Sequence, residues 1–189
     1  MISSPFESPV KKSTIIPDSA HVVVVADMFR EEYEGGAELT TDALINSSDF
    51  NVFKVRSRDI SMETLESGHR KHWVFTNFSQ MDSSLIPAIT ANIEYSIVEY
   101  DYKFCRYRSI EKHKTAELKE CDCHNEHHGK MISAFFYAAK SIWWMSEKQQ
   151  QIYLERFPFL QEVSNTVLSS VFDDDFFLHL KRLREENAG

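Results

Sequence analysis

HVVVVADMF, residues 21–29, is followed by a short loop and then by GAELTTDALI, residues 36–45, with Gly35 and Gly36 at the junction. The chain has only 5 glycines, so an adjacent pair at such a point is informative. The continuous β-branched run Val22–Ala26 reads as a strand buried on both faces. The second stretch has helical spacing over Gly36–Asn46. Strand, glycine turn and helix together present a helix N-terminus to a ligand at the edge of a parallel sheet. Glycine lets the backbone approach a ligand closely, and the free N–H groups of the first helical turn suit an oxyanion or a sugar hydroxyl. A tight turn with no ligand would carry the same residues.

The alternation continues outward from this unit. Residues 51–55, 72–76, 95–100, 141–145 and 165–169 read as strands. Residues 60–66, 82–92 and 128–140 read as helices, with Pro87 expected to kink or split the second. Ser146 caps a further helix that runs to about residue 157, where Pro158 stops it. Residues 173–186 form a terminal helix, acidic at its start and basic near its end, as the helix dipole prefers. The expected fold is α/β, a Rossmann-like three-layer sandwich with a mostly parallel sheet of about six strands. Residues 1–19, rich in Ser and Pro, read as a tail or arm, and residues 20–189 as one domain.

Composition narrows the function. A hydrophobic content of 42%, with 14 Phe, 7 Tyr and 3 Trp, supplies a core with a large aromatic share. Net charge is −8 and the pI about 5.5, which argues against a nucleic-acid partner. The 3 cysteines give no disulfide framework. No stretch approaches the roughly 20 apolar residues of a membrane span. The N-terminal sequence lacks the apolar centre of a signal peptide, so a cytoplasmic setting is expected.

Three ordered segments carry a family resemblance. ADMFREEYEGGAELTTDALI resembles the first loop and helix of GT-B glycosyltransferases, especially family 4-like retaining enzymes, at Gly35, Gly36, Ala37 and Glu38. VEYDYKFC is similar to the end of their fourth strand, where Tyr100 and Asp101 stand. SIWWMSEKQQQIYLERFP resembles the late strand that ends in Ser-Glu, here Ser146 and Glu147. The resemblance spans about residues 20–170 and implies an acceptor-binding N-terminal domain of a transferase that moves a sugar from a nucleotide-sugar donor to a hydroxyl. It implies no cofactor for this chain itself. Such enzymes have a second Rossmann-like domain that binds the donor. The sequence ends at Gly189 about where the interdomain linker would begin, so the reading is of a fragment lacking its donor-binding half. Catalytic residues are not assigned, and Glu38 is expected to brace the helix start. An apolar face exposed near the C-terminus would favour this reading, because it would mark the surface of an absent partner domain. A non-catalytic module binding a sugar, nucleotide or phosphate in the same crevice is the alternative.

The polar stretch 101–127 holds the remaining candidates. Stretches of this length without periodicity are often functional or disordered. Asp101 could hold a sugar hydroxyl, or pair with Arg106 or Arg108. Lys103, Arg106, Arg108, Lys112 and Lys114, with His113, reverse the charge of an acidic chain locally. This suggests an anionic acceptor, a phosphate or a sugar acid, with Arg106 and Arg108 contacting it; a solvated loop would look the same. Cys121, Cys123, His124 and His128 are the right ligand types for zinc, although a C-x-C pair strains a shared tetrahedral site. They give a third reading, a small zinc-binding protein. Trp143 and Trp144, adjacent in a strand, should face opposite helical layers.

Overall fold

The valines of residues 22–25 lie at the inner part of a single sheet in the computed structural model, which describes residues 13–187. β1 (Val22–Ala26) pairs in parallel with β2 (Val52–Arg56) on one side and β3 (His72–Phe75) on the other. β4 (Glu94–Glu99), β5 (Ser141–Trp144) and β6 (Ser164–Val167) extend the sheet beyond β3, giving the order β2-β1-β3-β4-β5-β6. Every pairing is parallel. Strand order therefore reverses between β1 and β3, the position at which open parallel sheets leave a crevice beyond their C-terminal ends.

Seven α-helices accompany the strands among the described residues. α1 (Gly36–Asn46) joins β1 to β2, α2 (Met62–Gly68) joins β2 to β3, and α3 (Ile86–Asn92) joins β3 to β4. Pro87 divides the third connection into a 3-10 turn, Ser83–Leu85, and α3, where it occupies the first helical turn and needs no N–H partner. α4 (Ile110–Glu117) and α5 (His127–Tyr137) both lie between β4 and β5. α4 was not expected from the sequence. α6 (Glu147–Arg156) is capped by Ser146, whose side chain accepts from the Gln149 N–H, and α7 (Asp174–Glu186) is capped by Asp173. No helix among the described residues is long and apolar enough to cross a membrane.

Two cores of unequal size hold the sheet. The larger packs Trp73, Phe75, Tyr95, Ile97 and Trp144 against Leu65, Ile89, Phe135, Phe136 and Tyr153 from the helices. Phe135 stacks on Tyr95 at 4.7 Å and meets Phe75 edge-on at 5.2 Å. Each such pair adds about 0.5–1.5 kcal/mol to the burial of its area. The smaller core comprises Val24, Ala26 and Phe29, backed by Ile45 of α1 and Val74. Trp144 is fully buried and donates its indole N–H to Asn165 Oδ1 at 2.8 Å, while Trp143, alternating with it, is half-buried. The part of the expected 1–19 arm that falls at 1–12 lies outside the described residues. Ile16 is buried in the larger core, and its amide donates to Ser67 Oγ.

Candidate functional site: the strand-end crevice and a buried thiol cluster

Asp27 directly follows β1 and ties three strand ends together. It accepts from the Ser57 hydroxyl after β2 (2.5 Å), and from the Ser79 hydroxyl (2.5 Å) and the Ser79 and Gln80 amides (both 3.1 Å) after β3. Burial alone would raise its pKa, but these hydrogen bonds outweigh that and hold the carboxyl below the usual carboxylate range. Arg108 crosses the same crevice. Its Nη2 lies 2.6 Å from both Asp101 Oδ2 and Asn77 Oδ1, and its Nη1 lies 3.4 Å from Asp27 Oδ2. Tandem tight turns deliver it there: the Cys105 amide donates to the Tyr102 carbonyl and the Arg108 amide to the Cys105 carbonyl, both at 2.8 Å. The last turn leaves Arg108 in the left-handed region, φ 54°, which for a non-glycine residue costs roughly 1–3 kcal/mol.

Beside this cluster, the end of β4 carries a buried ion pair. Glu99 has no solvent exposure; it accepts from the Tyr153 hydroxyl (2.6 Å), the Lys103 amide (3.0 Å) and the Lys103 ammonium (2.6 Å). Burial pushes the Glu99 carboxyl up to about 6, with Lys103 opposing the rise and Asp101 adding to it. Tyr100 reaches the other way, its hydroxyl 2.8 Å from Thr41 Oγ1 on α1.

The structure places the sequence candidates as follows. Gly35 is the N-cap of α1 with an extended backbone and supplies no side-chain cap. A Cβ at Gly35 would strike the Glu38 carboxylate and the Tyr33 ring, whereas one at Gly36 would meet nothing within 4 Å. The open space therefore belongs to Gly36, and Gly35 makes room for Glu38, which is buried beside it. Asp101 pairs with Arg108 and not with Arg106. Ser146 and Glu147 are exposed at the end of β5, linked to Asp101 because Gln149, next in the capped turn, donates to the Asp101 carbonyl at 2.9 Å. Gly35, Glu38, Tyr100, Asp101, Arg108 and Ser146 thus share one edge of the sheet. Arg106 lines the pocket beyond β3 and β4, exposed at its rim and bonded to Glu126 at 2.6 Å. The basic stretch is largely neutralised, since Lys103, Arg106, Arg108 and Lys114 each hold a carboxylate.

A pocket of about 440 Å³ opens beyond β3 and β4, walled by Phe78, Met81, Lys103, Arg108, His128 and Met131 among others. Sequence reasoning did not include Asp27, Asn77 or Glu99 in the site, nor the pocket role of His128. The position of Asp27 immediately after an apolar parallel strand was the available signal.

Cys121 and Cys123 meet different companions from those expected. His124 packs edge-on near Phe157, and His128 Nε2 lies 2.9 Å from the Lys103 carbonyl. Cys105 and His113 take their places. One ligand atom from each of Cys105, His113, Cys121 and Cys123 lies within 4.8 Å of all the others, and all four residues are buried. His113 Nδ1 is 3.4 Å from Cys123 Sγ and 3.7 Å from Cys105 Sγ. The C-x-C pair is accommodated because Cys123 begins a 3-10 turn, Cys123–Asn125, against which α5 packs through Gly129. A Cβ at Gly129 would run into the Cys123 carbonyl oxygen.

No known protein family, curated protein or solved structure matches the chain.

Proposed function

We propose that this chain is the acceptor-side half of a GT-B-type glycosyltransferase, and that the complete enzyme moves a sugar from a nucleotide-sugar donor to an acceptor hydroxyl. The observation that carries the proposal is convergence. The three segments of resemblance are far apart in sequence, yet 35–38 follows β1, Tyr100 and Asp101 follow β4, and Ser146 and Glu147 follow β5, all at the C-terminal edge of one parallel sheet. That edge is where such sheets take ligands.

The pocket beyond β3 and β4 is the acceptor seat in this reading. Apolar walls from Phe78 and Met81 suit a sugar face, and Lys103, Arg108 and His128, each already bonded within the fold, give the pocket a polar lining that suits sugar hydroxyls. The uncapped start of α1 offers backbone N–H groups to an oxygen that reaches across the crevice. Asp101 and Asp27 position Arg108 there. Stabilisation of the leaving phosphate is the task of the donor-binding half. α7 supports the same reading: it buries no residue, and Phe177, Leu178, Leu180 and Leu183 stand exposed on it. An apolar row of this kind marks surface that packs against a further domain.

Nuclear magnetic resonance titration with neutral sugars, sugar acids, sugar phosphates and nucleotides tests the proposal. The expected result is saturable binding of a saccharide, with shifts concentrated at 35–38 and 100–108. Binding of a free nucleotide alone at that edge would replace the proposal with a non-catalytic nucleotide-binding module. Absence of any perturbation there across the panel would end both readings.

A further inference from the structure

The thiol cluster stands on geometry independent of what the crevice binds. Zinc bonds of about 2.3 Å to sulfur and 2.1 Å to nitrogen, arranged tetrahedrally, separate two sulfurs by about 3.8 Å and a sulfur from a nitrogen by about 3.6 Å. The Nδ1–Sγ distances of 3.4 and 3.7 Å bracket the second figure, and the 4.8 Å limit on every pair leaves room for one ion at the centre. A multi-iron cluster would need its ligands spread more widely.

The local architecture makes little sense as ordinary packing. α4 is a short, strongly polar helix of 8 residues, and His113 is its one buried residue. A helix of that length is marginal on its own and usually docks by an apolar stripe. Here only Ile110 packs part-way against the core, and the main anchor is an imidazole turned into three thiols. His113 Nε2 is buried with no hydrogen-bond partner, so the ring is not held by a polar network on its far side. Tyr107 closes over the ring edge-on at 5.5 Å, which shields the cluster from water.

We infer that Cys105, His113, Cys121 and Cys123 bind one zinc ion as a closed structural centre, and that the ion fixes the 102–125 excursion that forms one wall of the pocket. Four protein ligands leave no open position for substrate or water, which makes the centre structural and not catalytic. Soft thiolates with one imidazole select zinc over hard cations such as magnesium or calcium. Binding deprotonates the three thiols and takes the lone pair of Nδ1, leaving a centre of net charge −1. Cys105 belongs to both structures: its sulfur is a ligand, and the residue lines the pocket. Loss of the ion therefore loosens the turns that present Arg108.

The test uses the untagged wild-type chain, with zinc measured by elemental analysis and released by a mercurial thiol reagent in the presence of a zinc-sensitive dye. About one equivalent of zinc, released in step with thiol modification, is the expected result. Less than about a tenth of an equivalent, both as isolated and after the reduced protein is incubated with zinc, overturns the proposal, as does a disulfide among the three cysteines. Cobalt substitution should give an intense thiolate charge-transfer band with tetrahedral ligand-field absorption. Cys121→Ser and His113→Ala should lose the ion, and His124→Ala should keep it. If the two ligand variants fail to fold, the wild-type titration still decides. Hydrogen exchange after chelation reads the second clause: protection should fall across 102–125 while β1 and β3 keep theirs. Unchanged protection across 102–125 would remove the structural role. These readouts do not depend on saccharide binding, so either proposal can fail alone.

Discussion

Replacing Gly129 by alanine sets two local effects against each other. Gly129 lies in the first turn of α5, where alanine is favoured over glycine by up to about 1 kcal/mol of helix propensity. Against this, the new methyl would run into the Cys123 carbonyl oxygen and lie 2.8 Å from His124 Cα. Both obstacles are backbone atoms, so neither can swing aside as a side chain would. Overpacking of this kind typically costs 1–3 kcal/mol, and rigid obstacles place it in the upper part of that range. The net expectation is a loss of about 1–2 kcal/mol, which in a chain of this length lowers Tm by about 2–8 °C. Gly36→Ala is the control, because a Cβ there meets nothing and the substitution should be neutral or stabilising by up to about 1 kcal/mol. Urea unfolding of both variants, with zinc present and after chelation, gives the comparison. Gly129→Ala should lose more stability when zinc is present, since the displaced turn carries Cys123. A Gly129→Ala variant as stable as wild type would refute the reasoning, for it would mean that the cysteine turn yields freely.

The pH dependence of Glu99 has a definite sign. A carboxyl raised from its ordinary 4.5 to about 6 is a stronger proton acceptor when folded, so the stability that Glu99 contributes is fully present below about 4.5 and is lost as pH rises through about 6. The full change is about 2 kcal/mol, and the stability difference between wild type and Glu99→Gln should vary across that window; a flat difference would refute the shift. Asp27 behaves oppositely. Its lowered folded value contributes stability above its ordinary 3.8 that is lost on further acidification, so Asp27→Asn should flatten the acid limb of the unfolding curve. Asp27→Ala should cost about 1–3 kcal/mol in urea, because it leaves the Ser57, Ser79 and Gln80 donors without their acceptor, while Arg108 keeps Asp101 and Asn77. Hydrogen exchange should be slowest in β1, β3 and α5, faster in α1, and close to unprotected in α7, which buries no side chain.

The strands were legible because parallel strands buried on both faces concentrate apolar residues into short runs such as residues 22–26 and 95–98. Their ends shifted by one or two residues, as at β6, expected over 165–169 and found over Ser164–Val167. The cap at Ser146 was legible, and its side chain accepts from the Gln149 amide; Asp173, expected as the first residue of the last helix, is its cap. α4 escaped because its sequence, IEKHKTAE, has no apolar face to betray a period. The same fact concealed the thiol cluster. A search confined to neighbours of the C-x-C pair finds His124 and His128, while the true companions come from a turn and a helix earlier in the chain. Cys105, His113 and Cys121 are evenly spaced, and that regularity was the signal to follow. Asp27 and Glu99 could be placed at strand ends, but their partners Ser57, Ser79 and Tyr153 come from separate connections and were not readable from spacing.

The unequal cores give the crevice one stiff jaw and one compliant jaw. The stiff jaw is built from the 102–108 turns and α5, bolted to the aromatic core and to the cysteines. The other is α1, whose Ile45 packs against the small core of Val24, Ala26 and Phe29. The Thr41–Tyr100 hydrogen bond is its latch to β4. A ligand seated at the start of α1 therefore has the easier task of drawing in a lightly mounted helix over a fixed anvil, with the main core left undisturbed.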